Sequence, residues 1–317
     1  MSLIPHFKGR SLFQPGRELA IMPFSRVCFA VSMVAVALSL LLFAAVGLNY
    51  GVDFKGGSMI EVQAKSGKAD IAQLRSAVGG LGLGDVQIQA FGKDTDVLIR
   101  VEQQEGGEKA QQEALGKVLK AIGDKYEQRR AEVVGPAVSS ELRTTGLIAV
   151  LCSIIAIILY VWFRFEWQFA IGAVVALTHD VMITVGVFSL LQLSFDLSTV
   201  AALLTILGYS VNDTVVVSDR IRENLRKFKK LDITALLNRS INETLSRTLM
   251  TSLTTFVVLL ALYILGGEVI RNFTFAMMFG VIIGTYSSIF IAAPLLAFLG
   301  VKRDWSGVTR GAPAAAS

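Results

Sequence analysis

Apolar residues along this chain are gathered into blocks of bilayer length. About 20 successive apolar residues cross the ~30 Å hydrocarbon layer as a helix, and six blocks meet that measure: 27–48, 147–163, 169–191, 197–217, 248–265 and 273–300. The pattern predicts an all-α bundle of six transmembrane spans. The fifth block is the most dilute, because Thr251, Ser252, Thr254 and Thr255 occupy its first turns, where a hydroxyl can bond back to its own helix. The first block is longer than the roughly 7–15 apolar residues of a cleavable signal, so it reads as a retained anchor.

Between the first two blocks the periodicity changes. Residues 57–63 and 85–91 read as strands, as do 95–102, where Val97, Ile99 and Val101 alternate with polar neighbours. Residues 70–78 and 108–128 read as helices, the second with Ala114, Val118 and Ile122 four apart, and 131–134 supplies a last strand. The order β, α, β, β, α, β is that of a ferredoxin-like split βαβ unit. An α+β domain of that type is therefore expected between spans 1 and 2, in a role of binding partners rather than catalysing.

Composition fits this division. Hydrophobic residues make up 53% of the 317 and charged ones 17%, with mean hydropathy +0.59, whereas a soluble domain carries about 25% charged residues. The net charge of +5 and pI near 9.2 do not point to nucleic acid, since no stacking aromatics are interleaved with the basic residues. Their placement follows membrane topology instead, because short cytoplasmic loops accumulate Lys and Arg. Lys8, Arg10, Arg17 and Arg26 precede the first span; Arg220, Arg222, Arg226, Lys227, Lys229, Lys230, Arg239 and Arg247 follow the fourth; Lys302, Arg303 and Arg310 follow the sixth. On the other side, 192–196 has no Lys or Arg and 266–272 has only Arg271.

Both termini are thus expected in the cytoplasm. Segment 1–26 and tail 301–317 lie there, 27–48 is span 1, 49–146 is the outer domain, and 147–300 holds spans 2 to 6 with a basic cytoplasmic loop at 218–247. The outer domain has 13 Lys plus Arg and 14 Asp plus Glu, but segments of that length are translocated largely regardless of charge. Within the loop, the basic run 227–230 has Leu225, Phe228, Leu231, Leu236 and Leu237 around it, which suits an amphipathic helix lying on membrane lipid. Cys28 and Cys152 sit inside apolar runs and imply neither a disulfide nor a metal site.

Ionisable side chains within spans are costly and usually functional. The candidates are His179 and Asp180 in the third block, Asp213 beside Asn212 in the fourth, and Arg247 at the mouth of the fifth. Low dielectric around Asp213 opposes its charge and a nearby guanidinium favours it, as suits a carboxylate that gains and loses a proton. The alternative is a static buried ion pair that sets helix register. The His179–Asp180 pair is equally open, as a proton site or a satisfied polar contact. Asp219 and Arg220, at the membrane edge, read as solvated anchors. Gly280, Gly284, Ser287 and Ser288 recur at helical spacing and favour close packing.

Three further strings carry no chemistry. GLGD at 82–85 falls in a polar turn rather than a span, the glycosylation pattern at 212–214 is inside an apolar run, and 80–84 lacks the phosphate-binding glycine spacing. With no Ser/His/Asp set, cysteine nucleophile or metal cluster in the sequence, neither an enzyme nor a cofactor is expected.

Five strings resemble one family, SecF, a membrane subunit of the bacterial protein-export machinery. They are GVDFKGGS at 51–58, with Gly51, Asp53, Gly56 and Gly57; VGPAVSSEL at 134–142, with Gly135 and Pro136; GYSVNDTVVVSDRIREN at 208–224, with Asp219 and Arg220; SRTLMTSLTT at 246–255; and GTYSSIFIAAP at 284–294. Ser218 stands where the family motif has Phe. The resemblance implies a multi-pass protein of the bacterial inner membrane, a periplasmic position for the ferredoxin-like domain, and a pseudosymmetric unit of the RND superfamily formed with SecD beside SecYEG. It also implies Asp213 and Arg247 as proton-path residues that use the proton gradient to pull exported preproteins outward after SecA, with YajC and YidC as further partners. Half of an RND-type exporter for small molecules or lipids, and a non-conducting scaffold, are the readings that the charged spans alone leave open.

Overall fold

The computed structural model describes residues 19–84 and 86–301. The basic residues Lys8, Arg10, Arg17, Lys302, Arg303 and Arg310, and Asp85 of the GLGD string, lie outside the described residues. Chain order is α1 (Ser25–Ala45), β1 (Asn49–Tyr50), α2 (Val52–Lys55), β2 (Gly57–Ala64), α3 (Ile71–Gly79), β3 (Val86–Phe91), β4 (Lys93–Val101), α4 (Gly107–Ile122) and β5 (Tyr126–Val134). There follow α5 (Pro136–Arg164), α6 (Trp167–Leu191), β6 (Ser194–Phe195), α7 (Leu197–Lys227), α8 (Ile233–Leu265), α9 (Arg271–Ser287), a π-turn (Ser288–Ala292) and α10 (Ala293–Phe298).

Six helical stretches are long and apolar enough to cross a membrane: α1 with the turn before it, α5, α6, α7, α8, and α9 through α10. Buried residues make up 44%, 50% and 61% of the apolar stretches of α6, α7 and the last span, against 11% in each of α1, α5 and α8. Three spans therefore form an inner layer and three present apolar side chains outward. Small residues set the inner spacing. A methyl group on Gly280 would collide with Ile206, and one on Gly284 would stand 3.1 Å from Ser210 Cβ, so α9 lies directly on α7.

Two spans begin or end beyond their apolar blocks. α5 starts at Pro136 rather than near 147, because Gly135 supplies an extended N-cap (φ −73°, ψ 163°) and Pro136 takes the first helical position, where its missing N–H is not needed. The expected basic loop 218–247, with a separate amphipathic helix on lipid, is not what forms. α7 continues to Lys227, α8 begins at Ile233, and only 228–232 turn. Ile221, Leu225, Leu236, Leu237 and Ile241 are buried together in one core, with Phe228 and Leu231 packed against it. The apolar face thus finds a partner helix instead of lipid. Asp232 caps α8 by accepting from the Thr234 and Ala235 N–H groups, which holds its carboxyl below the usual carboxylate range.

The segment after α1 builds a four-stranded antiparallel sheet in the order β3-β4-β2-β5, with α3 and α4 as its helices. Ile60, Val62, Ile88, Val97, Ile99 and Val101 from the sheet share a core with Leu74, Val78, Ala114, Val118 and Ile122 from the helices. The second helix ends six residues earlier than its periodicity suggests. Gly123 takes a positive φ (+62°) after Ile122 and ends it, and 126–128, expected as helix, joins β5. There the whole of β2 needs a partner, and pairing from Gly57↔Val134 to Ala64↔Tyr126 overrides the helix preference of 126–128.

A short parallel pair, Asn49↔Ser194 and Tyr50↔Phe195, ties the end of α1 to the turn before α7. The GVDFKGGS string is the knot. Gly51 donates to Phe195 O (2.8 Å), and its missing side chain leaves room for Asp196, whose Cβ would be 3.1 Å away. Asp53 Oδ2 accepts from Leu197 N (2.9 Å), at the first residue of α7. Gly56 and Gly57 take φ +75° and +116°, and any Cβ on Gly57 would strike the Val101 carbonyl. Arg100 Nη2, from the sheet, donates to Ser194 Oγ (2.7 Å).

Gly280→Ala is expected to destabilise the purified protein by about 1–3 kcal/mol, as over-packing of a close contact does; Ile206→Ala in the same chain should restore the unfolding midpoint. Asp53→Ala should remove about 1 kcal/mol or more from the knot, the worth of a hydrogen bond to a charged acceptor, read as a lowered thermal midpoint with the sheet intact by circular dichroism.

Candidate intramembrane carboxylate site

The α7–α8 hairpin sets the level of its polar residues. Asp213 stands fourteen residues before the end of α7 and Arg247 fourteen after the start of α8, so at 1.5 Å per residue each lies ~21 Å from the hairpin tip. The two helices run antiparallel, which brings these positions to one height. Asp213 is buried, 6% exposed.

Hydroxyls, not the arginine, hold it. Thr248 Oγ1 donates to Asp213 Oδ1 at 2.7 Å from α8, and Ser288 Oγ donates to Oδ2 at 3.0 Å from the π-turn. Arg247 is exposed on α8 and reaches Asp213 through its charge. Asn212, grouped with Asp213 in sequence, is exposed on another face of α7. Consecutive helical residues diverge by about 100°, so the neighbours of a buried residue need not share its surroundings.

A second carboxylate is buried more completely. Asp180, on α6, is 0% exposed. Its Oδ1 lies 2.9 Å from His179 Nδ1, and its Oδ2 accepts from Ser210 (2.6 Å, α7) and Ser287 (2.8 Å, α9). The His179 ring stacks on Tyr286, with centroids 6.1 Å apart, and its buried Nε2 has no partner among the described residues. Tyr286 donates to the Cys28 carbonyl at 2.8 Å and meets Ser32 Oγ at 2.8 Å, tying this centre to α1.

Asp180 and Asp213 therefore have separate shells supplied from one place, the adjacent Ser287 and Ser288. The spacing of the four small residues predicts packing alone; the two glycines do pack, but the two serines donate to carboxylates. Sequence reasoning passes over Ser210 and the donor roles of Thr248, Ser287 and Ser288. The available signal is a hydroxyl within an apolar run that also contains a carboxylate, since a buried carboxylate needs donors. Serine and threonine are too common in spans for that signal to single out four.

The other motif residues lie apart. Gly51, Asp53, Gly56 and Gly57 form the knot beneath the sheet, and Gly135 and Pro136 start α5. At the opposite end of the bundle, Asp219 meets Arg164 of α5 at 3.3 Å, while Arg220 meets Glu223 at 2.9 Å and Glu243 of α8 at 3.8 Å. These are exposed pairs that brace helices, as anchors do. Ser218 is buried on the inner side of α7.

Comparison with known proteins places the chain. Residues 114–302 match the family described as protein export membrane protein SecD/SecF, C-terminal, and residues 41–68 match the SecD/SecF GG motif, which contains the knot. The chain is 46% identical over 286 residues to the protein translocase subunit SecF of Cereibacter sphaeroides, covering 87% of this chain and 88% of that one. It is 44% identical to the protein translocase subunit SecDF of Brucella abortus, over 89% of this chain and 38% of the longer protein. The crystal structure of SecDF from Thermus thermophilus, a translocon-associated membrane protein, superposes with a TM-score of 0.82 at 38% identity, over 91% of this chain and 40% of that one. The SecF relatives match nearly end to end, and the SecDF proteins contain this whole arrangement within a longer chain. The chain is a multi-pass membrane protein with a transport role, and it belongs to the SecD/SecF family of protein-export membrane proteins, in its SecF branch.

Proposed function

We propose that this Sec protein-export subunit draws on the proton motive force through Asp213, and so promotes late steps of preprotein translocation across the bacterial inner membrane. The observation that carries this reading is a carboxylate buried among three spans and held by two hydroxyls, with the Arg247 charge close by. Removing a proton from such a site leaves a charge away from water, and hydroxyl donors make that charge tolerable. Each elementary charge crossing 100 mV supplies about 2.3 kcal/mol, enough to bias a conformational equilibrium more than tenfold. His179 and Asp180 serve the same path as a second polar centre, and Asn212 flanks it.

Partners follow from the exposed apolar surface and from the family. Leu249 and Met250 of α8, next to Thr248, are exposed, and SecDF relatives carry a further part on the same chain. SecD fills that role here, and the two work beside SecYEG on the exported preprotein, with YajC and YidC in the same membrane. The four-stranded unit is of the ferredoxin-like split βαβ type and faces the periplasm; both chain ends and the α7–α8 tip, rich in Arg and Lys, face the cytoplasm. Membrane lipid covers the remaining apolar surface.

Asp213→Asn should abolish gradient-dependent export in inverted membrane vesicles while the protein still co-purifies with its SecD-like partner. Normal export by that variant defeats the proton role. A cysteine at position 66, in the sheet unit, should react with a membrane-impermeant maleimide on intact spheroplasts, and one at 230 should react only after lysis; the reverse labelling overturns the orientation.

A further inference from the structure

We propose that Ser287 and Ser288 are positioning residues that couple the two buried carboxylates, so that a change at Asp213 is felt at Asp180 through the helix that both serines share. The inference deepens the proposed role of Asp213 and rests on it for the event that would drive the coupling; the coupling itself can be read without protons.

The geometry is specific. α9 ends at Ser287 and the π-turn begins at Ser288, so the helix changes its winding between the two side chains. Ser287 reaches across to α6 and Ser288 to α7. π-turns are rare and are frequently found at functional sites. This one lies where a single helix has to satisfy two acids on two different helices.

Each hydroxyl also has a choice. Serine carries one O–H proton. Ser287 Oγ is 2.8 Å from Asp180 Oδ2 and 3.2 Å from the Gly284 carbonyl, while Ser288 Oγ is 3.0 Å from Asp213 Oδ2 and 3.0 Å from the Thr285 carbonyl. An ionised carboxylate is a stronger acceptor than a peptide carbonyl and takes the proton. A neutral carboxyl competes poorly, and the hydroxyl turns back to its own helix, where such bonds bend the backbone. The Gly284 carbonyl already accepts the Ser288 backbone N–H, so a second donor there bears directly on the bond that closes the junction.

The charged and titratable groups around this device come from every packed helix. Asp180 faces His179 on its own helix and the hydroxyls of α7 and α9; His179 faces Tyr286, which binds α1; Asp213 faces Thr248 and the charge of Arg247 on α8. Among these contacts, the Ser287–Ser288 step is the one where adjacent residues donate to both carboxylates; α7 adds Ser210, one turn before Asp213. Beyond the π-turn the chain continues into α10, which packs against α6, α7 and α8, so a change of winding here moves α10 against three spans.

The test is hydrogen–deuterium exchange of the backbone amides of 288–293, on the full chain co-purified with its SecD-like partner in nanodiscs. Asp180→Asn and Asp213→Asn should each change exchange there by about 5-fold, the factor that one net hydrogen bond corresponds to. Combined with Ser287→Ala and Ser288→Ala, neither should have any further effect. The coupling is overturned if either carboxylate variant leaves 288–293 unchanged, or if both effects survive loss of the hydroxyls. Should the double serine variant fail to assemble, the separate cycles of Ser287→Ala with Asp180→Asn and Ser288→Ala with Asp213→Asn are read by the same criterion. Normal export by Asp213→Asn with altered exchange would remove the proton role and leave the coupling; lost export with unaltered exchange would do the reverse.

Discussion

A carboxylate between apolar helices has no water to turn to, so every donor it needs must come from a neighbouring span. That constraint organises the centre of this bundle. Asp180 and Asp213 sit on adjacent helices of the inner layer, and hydroxyls from α7, α8, α9 and the π-turn are aimed at them. The reach of a serine is short, so the backbones have to approach closely, and Gly280 and Gly284 make that possible one and two turns before Ser287 and Ser288. The packing glycines and the donor serines are thus parts of one device: the first bring α9 down onto α7, and the second use the proximity.

The same helix that carries Asp213 begins at the knot beside the sheet. From Leu197, where Asp53 caps the start of α7, to Asp213 is sixteen residues, or ~24 Å of continuous helix. The knot in turn holds β1 to β6 and presents the first glycines of β2, so the sheet unit and the intramembrane carboxylate share a rigid element. α7 thus runs from the knot beside the sheet to Asp213 without an intervening loop. Arg100, donating to Ser194 from the sheet, adds a second attachment at the same place.

Much of this was legible in the chain. Six apolar blocks gave six spans, because bilayer thickness fixes their length, and alternation at Val97, Ile99 and Val101 marked a true strand. Asp213 stood out because charges in apolar runs are rare. The errors share a cause. Segment 218–247 read as a basic loop because charge hides helical continuity, yet Leu225, Leu236 and Leu237 pack between two prolonged helices. Residues 126–128 read as helix because polar, charged residues suit an exposed helix face; the demand of β2 for a partner made them a strand.

What the chain determines by itself is which segments must leave water, since hydrophobicity is additive along a run and needs no knowledge of neighbours. It also fixes which positions carry groups that such surroundings oppose. Tertiary structure alone decided who answers those groups: Thr248 rather than Arg247 bonds Asp213, and the adjacent Ser287 and Ser288 divide their donors between two acids. Hydrogen bonds are directional and short, so partnership depends on how helices are rotated and how closely they approach, and those quantities are set by contacts between residues 35 to 107 positions apart.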